Sequence, residues 1–306
     1  LSGSQPRVLI VGRTGQVGRE LALHFAGTHA VVAVDRGELN LGSPEQIHSV
    51  VAEAKPDVIV NAAAYTAVDR AEAEPEVAEA VNARAPGVLA EAARKTGALL
   101  VHYSTDYVFN GAKSVPWVED DPTGPLNVYG RTKLAGEEAI RAVGGRYLIF
   151  RTSWVYGPTG KNFLLTMLRL GRERAELGVV DDQFGAPTTA GELARATQAV
   201  VAEVLAGRCG TKDAWAGVYH MTCNGETTWC GFTRAIFARA GALLDGRTPQ
   251  VNPIASADYP TPARRPRHSV LANGKLEKQF GVRLLPWAEA LDAVLDQLVA
   301  KAAAQA

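Results

Sequence analysis

The first half of the chain alternates short, continuous apolar runs with longer stretches rich in Ala, Glu and Leu. Val8-Leu9-Ile10-Val11 runs into glycine, Val31-Val32-Ala33-Val34 into Asp35, and Val58-Ile59-Val60 into Asn61. Ala98-Leu99-Leu100-Val101 leads into His102, Tyr103 and Ser104, and Tyr147-Leu148-Ile149-Phe150 leads into Arg151. Apolar runs without polar alternation predict strands buried on both faces. The stretches Gln16 to Ala26, Pro44 to Ala54 and Pro75 to Lys95 have helical length and composition. Strands and helices in alternation predict a parallel sheet, and right-handed crossovers make it a Rossmann-type, doubly wound α/β fold.

The second half is less regular and richer in Pro and Gly, as from Asn252 to Pro266. Helical patterns persist over Glu192 to Leu205, Trp229 to Ala240 and Trp287 to Ala304. Neither an internal repeat nor a low-complexity linker separates the halves. We therefore expect an NAD(P)-binding domain over 7–153 and a smaller, mainly substrate-binding lobe over 154–306, with some of its segments returning to the sheet. A cleft between them would lie beyond the C-terminal strand ends, where such sheets bind ligands.

Composition narrows the picture. The 306 residues are enough for a large core. Lys plus Arg equals Asp plus Glu, at 32 each, so there is no whole-protein field to capture nucleic acid or an anionic membrane. No apolar run approaches the length that spans a bilayer. Cys209, Cys223 and Cys230 are odd in number and form no Cys-x-x-Cys, and no histidine lies at metal-ligand spacing from them. They read as free thiols in a reducing compartment, so a cytoplasmic location is expected. The opening Leu1-Ser2-Gly3-Ser4-Gln5-Pro6 lacks an initiator Met, a basic n-region and an apolar h-region. It reads as a truncated end and is set aside from the fold.

Candidate chemistry starts where the first strand ends. Gly12-Arg13-Thr14-Gly15-Gln16-Val17-Gly18 is Gly-x-x-Gly-x-x-Gly between a strand and a helix. Glycines there let the backbone turn tightly and approach a pyrophosphate, while the helix start offers free N–H groups and a positive dipole end. Gly12, Thr14, Gly15, Gln16 and Val17 are thus candidate cofactor contacts. Asp35 ends the second strand, 20 residues after Gly15, where a carboxylate can accept from both adenosine ribose hydroxyls. Arg13 and Arg36 flank it, and a guanidinium could hold a 2′-phosphate instead. The choice between NADH and NADPH stays open.

Tyr129 and Lys133 form Tyr-x-x-x-Lys after Pro125 and a candidate cap, Asn127. The spacing puts both side chains on one helix face. A tyrosine with its ordinary pKa of about 10 is a poor acid at neutral pH, and a nearby ammonium lowers that value. Lys133 can also hydrogen-bond the nicotinamide ribose. Taken alone, the pair describes many solvated helix faces. Thr105, at the end of the fourth strand region, adds a hydroxyl that can hold a substrate oxygen beside Tyr129.

With these motifs in order, the chain resembles the extended short-chain dehydrogenase/reductases, and within them the dTDP-4-dehydrorhamnose reductases. The resemblance is carried by the glycine loop, the stretch 56–69 ending Ala64-Tyr65-Thr66-Ala67-Val68-Asp69, and His102-Tyr103-Ser104-Thr105-Asp106-Tyr107-Val108-Phe109. It continues through 125–137, Arg151-Thr152-Ser153-Trp154-Val155-Tyr156-Gly157, 181–188 and 259–266, and so covers nearly the whole chain.

The resemblance implies reduction of the C4 ketone of dTDP-4-dehydro-L-rhamnose, the last step of dTDP-rhamnose supply, with NADPH or NADH as hydride source. It implies Tyr129 as proton donor, Lys133 as its tuner and a cofactor ligand, and Thr105 and Asp106 at the carbonyl. It also implies that Ala64, Tyr65, Thr66 and Tyr103 line the cofactor and that Asn40 and Leu41 flank its adenine. Trp154 could contact the sugar or serve as a core aromatic. Arg264, Arg265 and Arg267 lie in a Pro-rich loop suited to a diphosphate, with Arg265 favoured by family position. Some relatives hold Mg²⁺ at a dimer contact. Glu20 falls at a compatible position but Glu192 is one residue out of step, so no metal ligand is assigned, and Mg²⁺ and a homodimer stand only as what the resemblance admits. Two rivals share the fold: an epimerase or dehydratase that retains NAD, and a catalytically silent regulatory relative.

Overall fold

A computed structural model describes residues 5–304; most of the opening stretch set aside above lies outside them. Five apolar runs form the parallel strands β1 (Arg7–Val11), β2 (Ala30–Val34), β3 (Val58–Asn61), β4 (Leu99–Thr105) and β5 (Tyr147–Thr152). A strand from the second half, Gly217–His220, pairs parallel with β5 and completes a six-stranded sheet. With β1 between β2 and β3, successive connections leave in opposite directions. That reversal leaves a crevice at the C-terminal end of β1, the ligand position of doubly wound sheets.

The helices follow the sequence pattern closely. Helix α1 spans Gln16–Ala26 and α2 spans Pro44–Ala54, the latter started by Ser43, whose hydroxyl accepts from the Gln46 N–H. The expected single helix from Pro75 to Lys95 is interrupted. After α3 (Val68–Ala71) and α4 (Pro75–Glu79), a π-helical turn, Ala80–Arg84, leads into α5 (Ala85–Thr96). Pro86 has no N–H to offer the Asn82 carbonyl four residues back, and its ring would clash there in a regular helix. The extra residue of the π turn accommodates it.

One face of the sheet packs on α2 and α5, through Leu9, Ile59, Leu89, Leu100 and Ile149. The other packs on α1 and the helix Ala190–Leu205, through Leu21, Phe25, Leu193 and Val200. Each fully buried aliphatic side chain contributes about 1.5–3 kcal/mol, so residues far apart in sequence together hold the sheet. A smaller cluster in the second half joins Tyr156, Leu168, Phe232, Ile236 and Leu291 beside the parallel pair Glu176–Val180 and Gln250–Ile254. Among the described residues, no helix is long and apolar enough to cross a membrane.

Candidate active site

The sheet register lines up the strand ends. Val11 lies opposite Asn61, Asn61 opposite His102, and His102 opposite Ile149. The glycine loop leaves this row at Val11. Gly12 takes φ +99°, and a Cβ there would come 2.9 Å from the Ala63 nitrogen. A Cβ on Gly18 would stand 2.1 Å from the Gly12 carbonyl oxygen. Both positions exclude side chains so that the loop can fold against the start of α1. Gly15 precedes α1 without a capping side chain, leaving first-turn N–H groups to receive an anion. This cradle fits a dinucleotide pyrophosphate. Gln16 is partly committed elsewhere: its side-chain carbonyl accepts from Asn162 Nδ2 at 2.8 Å, tying the loop to the second half of the chain.

At the end of β2, Asp35 already has partners. One oxygen accepts from the Gly37 N–H and the other from Arg13, both at 2.9 Å. Arg13 also lies 3.1 Å from Glu38. The guanidinium, drawn out to this edge, holds the Asp35 carboxyl below its usual range. Asn40 is exposed and its side chain accepts from the Gly42 N–H, while Leu41 is half-buried.

Strand β4 runs four residues further than its apolar core suggested, and alternation along it divides the site. His102 and Ser104 face helix α6 (Val128–Val143), where they meet Lys133 and Glu137. Tyr103 turns the other way. Its ring packs near Phe150 and its hydroxyl meets Thr197 at 2.6 Å in the core. The Tyr103 hydroxyl thus points into the core, while its carbonyl faces Lys133, accepting from Nζ at 2.6 Å.

Helix α6 starts as its sequence predicts, with Asn127 accepting from the Gly130 N–H at 2.8 Å. Gly130 is required, since a Cβ would meet the Tyr107 carbonyl oxygen at 2.2 Å. Tyr129 then lies in the first turn, edge-on to Tyr107 with ring centroids 5.8 Å apart. Lys133 lies one turn deeper and is 1% exposed. Burial pulls its pKa down to about 7, with Glu137 acting in the opposite direction. The pKa of Tyr129 is pushed up to about 12 by desolvation, against a lowering influence from the Thr105 hydroxyl. The expected depression of Tyr129 by an ammonium does not appear: burial raises the phenol instead, with the Asp106 charge acting in the same direction.

Thr105 donates its hydroxyl to Asp106 at 2.9 Å and accepts from the Tyr107 N–H. Asp106 is buried, and its Oδ2 has no hydrogen-bond partner among the described residues. Burial pushes its pKa up to about 6. Beneath this layer, Glu137 is fully buried and accepts from Arg151 twice, at 2.9 and 2.7 Å, and from Ser104 at 2.5 Å.

The loop over residues 64–69 is held from below. Asn82, in the π turn, accepts from the Tyr65 N–H and donates to the Tyr65 carbonyl and to Thr132 on α6. The Tyr65 hydroxyl donates to Glu74 at 2.6 Å. Ala64 is half-buried and Thr66 exposed. Asp69, in the first turn of α3, receives both terminal nitrogens of Arg265, at 3.1 and 2.7 Å. The Asn127 side chain donates to the Arg264 carbonyl at 2.8 Å, so the Pro-rich loop is fastened to the start of α6.

Trp154 has a left-handed backbone, φ +48°, and stacks on Trp229 with ring centroids 3.5 Å apart and planes 7° from parallel. A Cβ on Gly185 would press into the indole at 2.4 Å. Trp154 therefore occupies a slot formed by Trp229 and Gly185. The sequence alone does not single out Trp229, Asn61, His102, Glu137 or Arg151 as part of this site. For Asn61 and His102 a signal existed: polar residues that follow apolar runs at the ends of two strands.

The donor set for Mg²⁺ does not fit. Glu192 is engaged by Arg195 through both oxygens, at 2.7 and 2.8 Å, and accepts from the Leu285 N–H. Among the described residues no cluster of three His, Cys, Asp or Glu is placed to hold a metal.

The family described as the RmlD substrate binding domain matches residues 6–300, and the chain belongs to it. It is 48% identical over 299 residues to a dTDP-4-dehydrorhamnose reductase of Burkholderia thailandensis, covering 96% of this chain and 100% of that protein. A dTDP-4-dehydrorhamnose reductase structure from Clostridium acetobutylicum aligns with a TM-score of 0.88 at 38% identity, covering 95% of this chain and 99% of the other. The Bacillus anthracis dTDP-4-dehydrorhamnose reductase, solved in complex with NADP, aligns with a TM-score of 0.88 at 32% identity, covering 96% of this chain and 99% of the other.

Proposed function

We propose, from membership of the RmlD substrate-binding family, that this protein reduces the C4 ketone of dTDP-4-dehydro-L-rhamnose to dTDP-L-rhamnose with NADPH or NADH. The observation that carries the reading is the buried Lys133, tied to the Tyr103 carbonyl one helical turn below Tyr129, in line with the strand ends that lead to the glycine loop. Gly12, Thr14, Gly15, Gln16 and Val17 would hold the dinucleotide, with Asp35 and Arg13 at the adenosine end. When bound, the reduced nicotinamide supplies the hydride for C4.

The protein's own part is proton supply and orientation. Tyr129, kept protonated by its surroundings, donates its hydroxyl proton to the oxygen on C4 as charge develops there. Lys133, fixed by the Tyr103 carbonyl, stabilises the phenolate that this donation leaves when Nζ carries its third proton. Thr105 positions the carbonyl oxygen, and Asp106 governs where the Thr105 proton points. Ala64, Tyr65 and Thr66 border the cofactor, with Asn40 and Leu41 near its adenine. Trp154 forms a wall for the sugar. Arg265, aimed by Asp69, takes one edge of the diphosphate.

A coupled assay with dTDP-4-dehydro-L-rhamnose tests this, run with NADH and NADPH separately and with the product identified by NMR. Coenzyme consumed in proportion to dTDP-L-rhamnose supports the reading. Purified protein that retains NAD and turns the sugar over without external coenzyme would overturn it in favour of an epimerase or dehydratase.

A further inference from the structure

His102, Asn61 and Lys133 are each 1% exposed and form a closed chain of polar groups. His102 Nε2 is 3.1 Å from Lys133 Nζ, and His102 Nδ1 is 3.0 Å from Asn61 Nδ2. The Asn61 amide has a defined orientation, because its Oδ1 accepts from the Ala63 N–H at 3.2 Å. Its NH₂ group is therefore the part that faces the imidazole.

A neutral imidazole has one N–H and one lone pair. Burial holds His102 far below its ordinary pKa, with Lys133 acting in the same direction, so the ring is neutral. With Nδ1 accepting from Asn61, the ring proton is on Nε2 and points at Lys133. An ammonium at Nζ would set donor against donor. A neutral amine has the lone pair that this N–H needs, and it can still donate to the Tyr103 carbonyl.

We infer that His102, clamped by Asn61, is a positioning residue that sets the proton count of Lys133. The inference rests on the reading of Lys133 as the partner of Tyr129. When Nζ gains its third proton, the imidazole must present its lone pair there. The ring proton then moves from Nε2 to Nδ1, and the Asn61 amide turns its oxygen to receive it. The net change is one proton, on Nζ. The same turn takes the acceptor from the Ala63 N–H and sets the Asn61 NH₂ against it, so the Ala63 backbone must shift, and Ala63 is the residue against which Gly12 is packed. The proton state of Lys133 is thereby linked to the backbone beneath the glycine cradle. Glu137 on its own helix and His102 on β4 act on Lys133, and the i, i+4 spacing puts Tyr129 on the same helix face. Arg151 from β5 neutralises Glu137, while Asn61 on β3 and Asn82 in the π turn bring no charge.

The test is ¹⁵N NMR of the full chain with labelled histidine and no substrate. His102→Gln assigns the signal among the six histidines. The ring should stay neutral throughout but switch from Nδ1–H to Nε2–H as the pH rises, with the midpoint of the Lys133 titration. In Asn61→Asp a carboxylate accepts from Nδ1–H at every pH. There the tautomer should be pinned, the Lys133 midpoint should rise by about one unit or more, and the pH limb of kcat/KM should move with it. One tautomer across the whole range in the wild type, or an unmoved midpoint in folded Asn61→Asp, would overturn the inference. If Asn61→Asp does not fold, the wild-type titration decides alone. Because that readout needs no sugar, its failure leaves the reductase reading standing, and failure of the sugar assay leaves the coupled titration to stand or fall by itself.

Discussion

Thr105 gives its hydroxyl proton to Asp106 at 2.9 Å, and the second oxygen of that carboxylate is buried with no partner among the described residues. Through this contact the charge of Asp106 would set the direction of the Thr105 hydroxyl. Ionised, it draws the proton away from the cleft. Protonated, it can donate to Thr105 Oγ1 and release that proton toward a carbonyl oxygen.

The first prediction follows from the upward shift of Asp106 to about 6. A folded-state pKa above the unfolded value means that the folded protein holds the proton more tightly. The stability this provides is full below the unfolded pKa and is lost as the pH rises through about 6. Asp106→Asn should therefore gain stability relative to wild type across that window, by urea unfolding at a series of pH values. A pH-independent difference would show that Asp106 does not titrate there.

Tyr129→Phe keeps the ring packing against Tyr107 but removes the proton. Its kcat should fall about 100- to 10,000-fold, the usual worth of a positioned general acid. Cofactor affinity by fluorescence titration should stay within a few-fold. Turnover equal to wild type would remove Tyr129 from the proton-donor role.

Arg151→Met takes from the fully buried Glu137 its close, buried partner and leaves only the more distant, exposed Arg141 at 3.9 Å. Losing one partner of a buried pair costs about 3–5 kcal/mol, to be read from chemical denaturation. The double variant Arg151→Met with Glu137→Leu should recover much of that loss, since neither charge of the pair is then left buried without the other.

At the β2 edge, Arg13 bridges Asp35 and Glu38 from a half-exposed position. A guanidinium contact to a 2′-phosphate is worth roughly tenfold or more in affinity. Arg13→Ala should raise KM for NADPH by about that factor and leave KM for NADH nearly unchanged. Equal effects on both coenzymes would mean that Arg13 serves the loop rather than the phosphate.

Much of this protein is legible in its sequence because local rules settle it. The apolar runs mark the strands, Pro44 and Ser43 mark the start of α2, and Asn127 marks that of α6. Gly12 and Gly18 stand where any Cβ would strike backbone, and helix periodicity alone puts Tyr129 and Lys133 on one face. Tertiary structure decided what those rules cannot reach. His102 and Tyr103 are neighbours in sequence, yet their roles are set by which face of β4 meets α6 and which meets the core. The polar residues 102–105 extend a strand only because partners such as Glu137, Lys133 and Thr197 satisfy them in burial. The pairing of Asp69 with Arg265 and the stacking of Trp154 on Trp229 join distant segments. Sheet register and desolvation, rather than spacing along the chain, determine these contacts and with them the proton states of Tyr129 and Lys133.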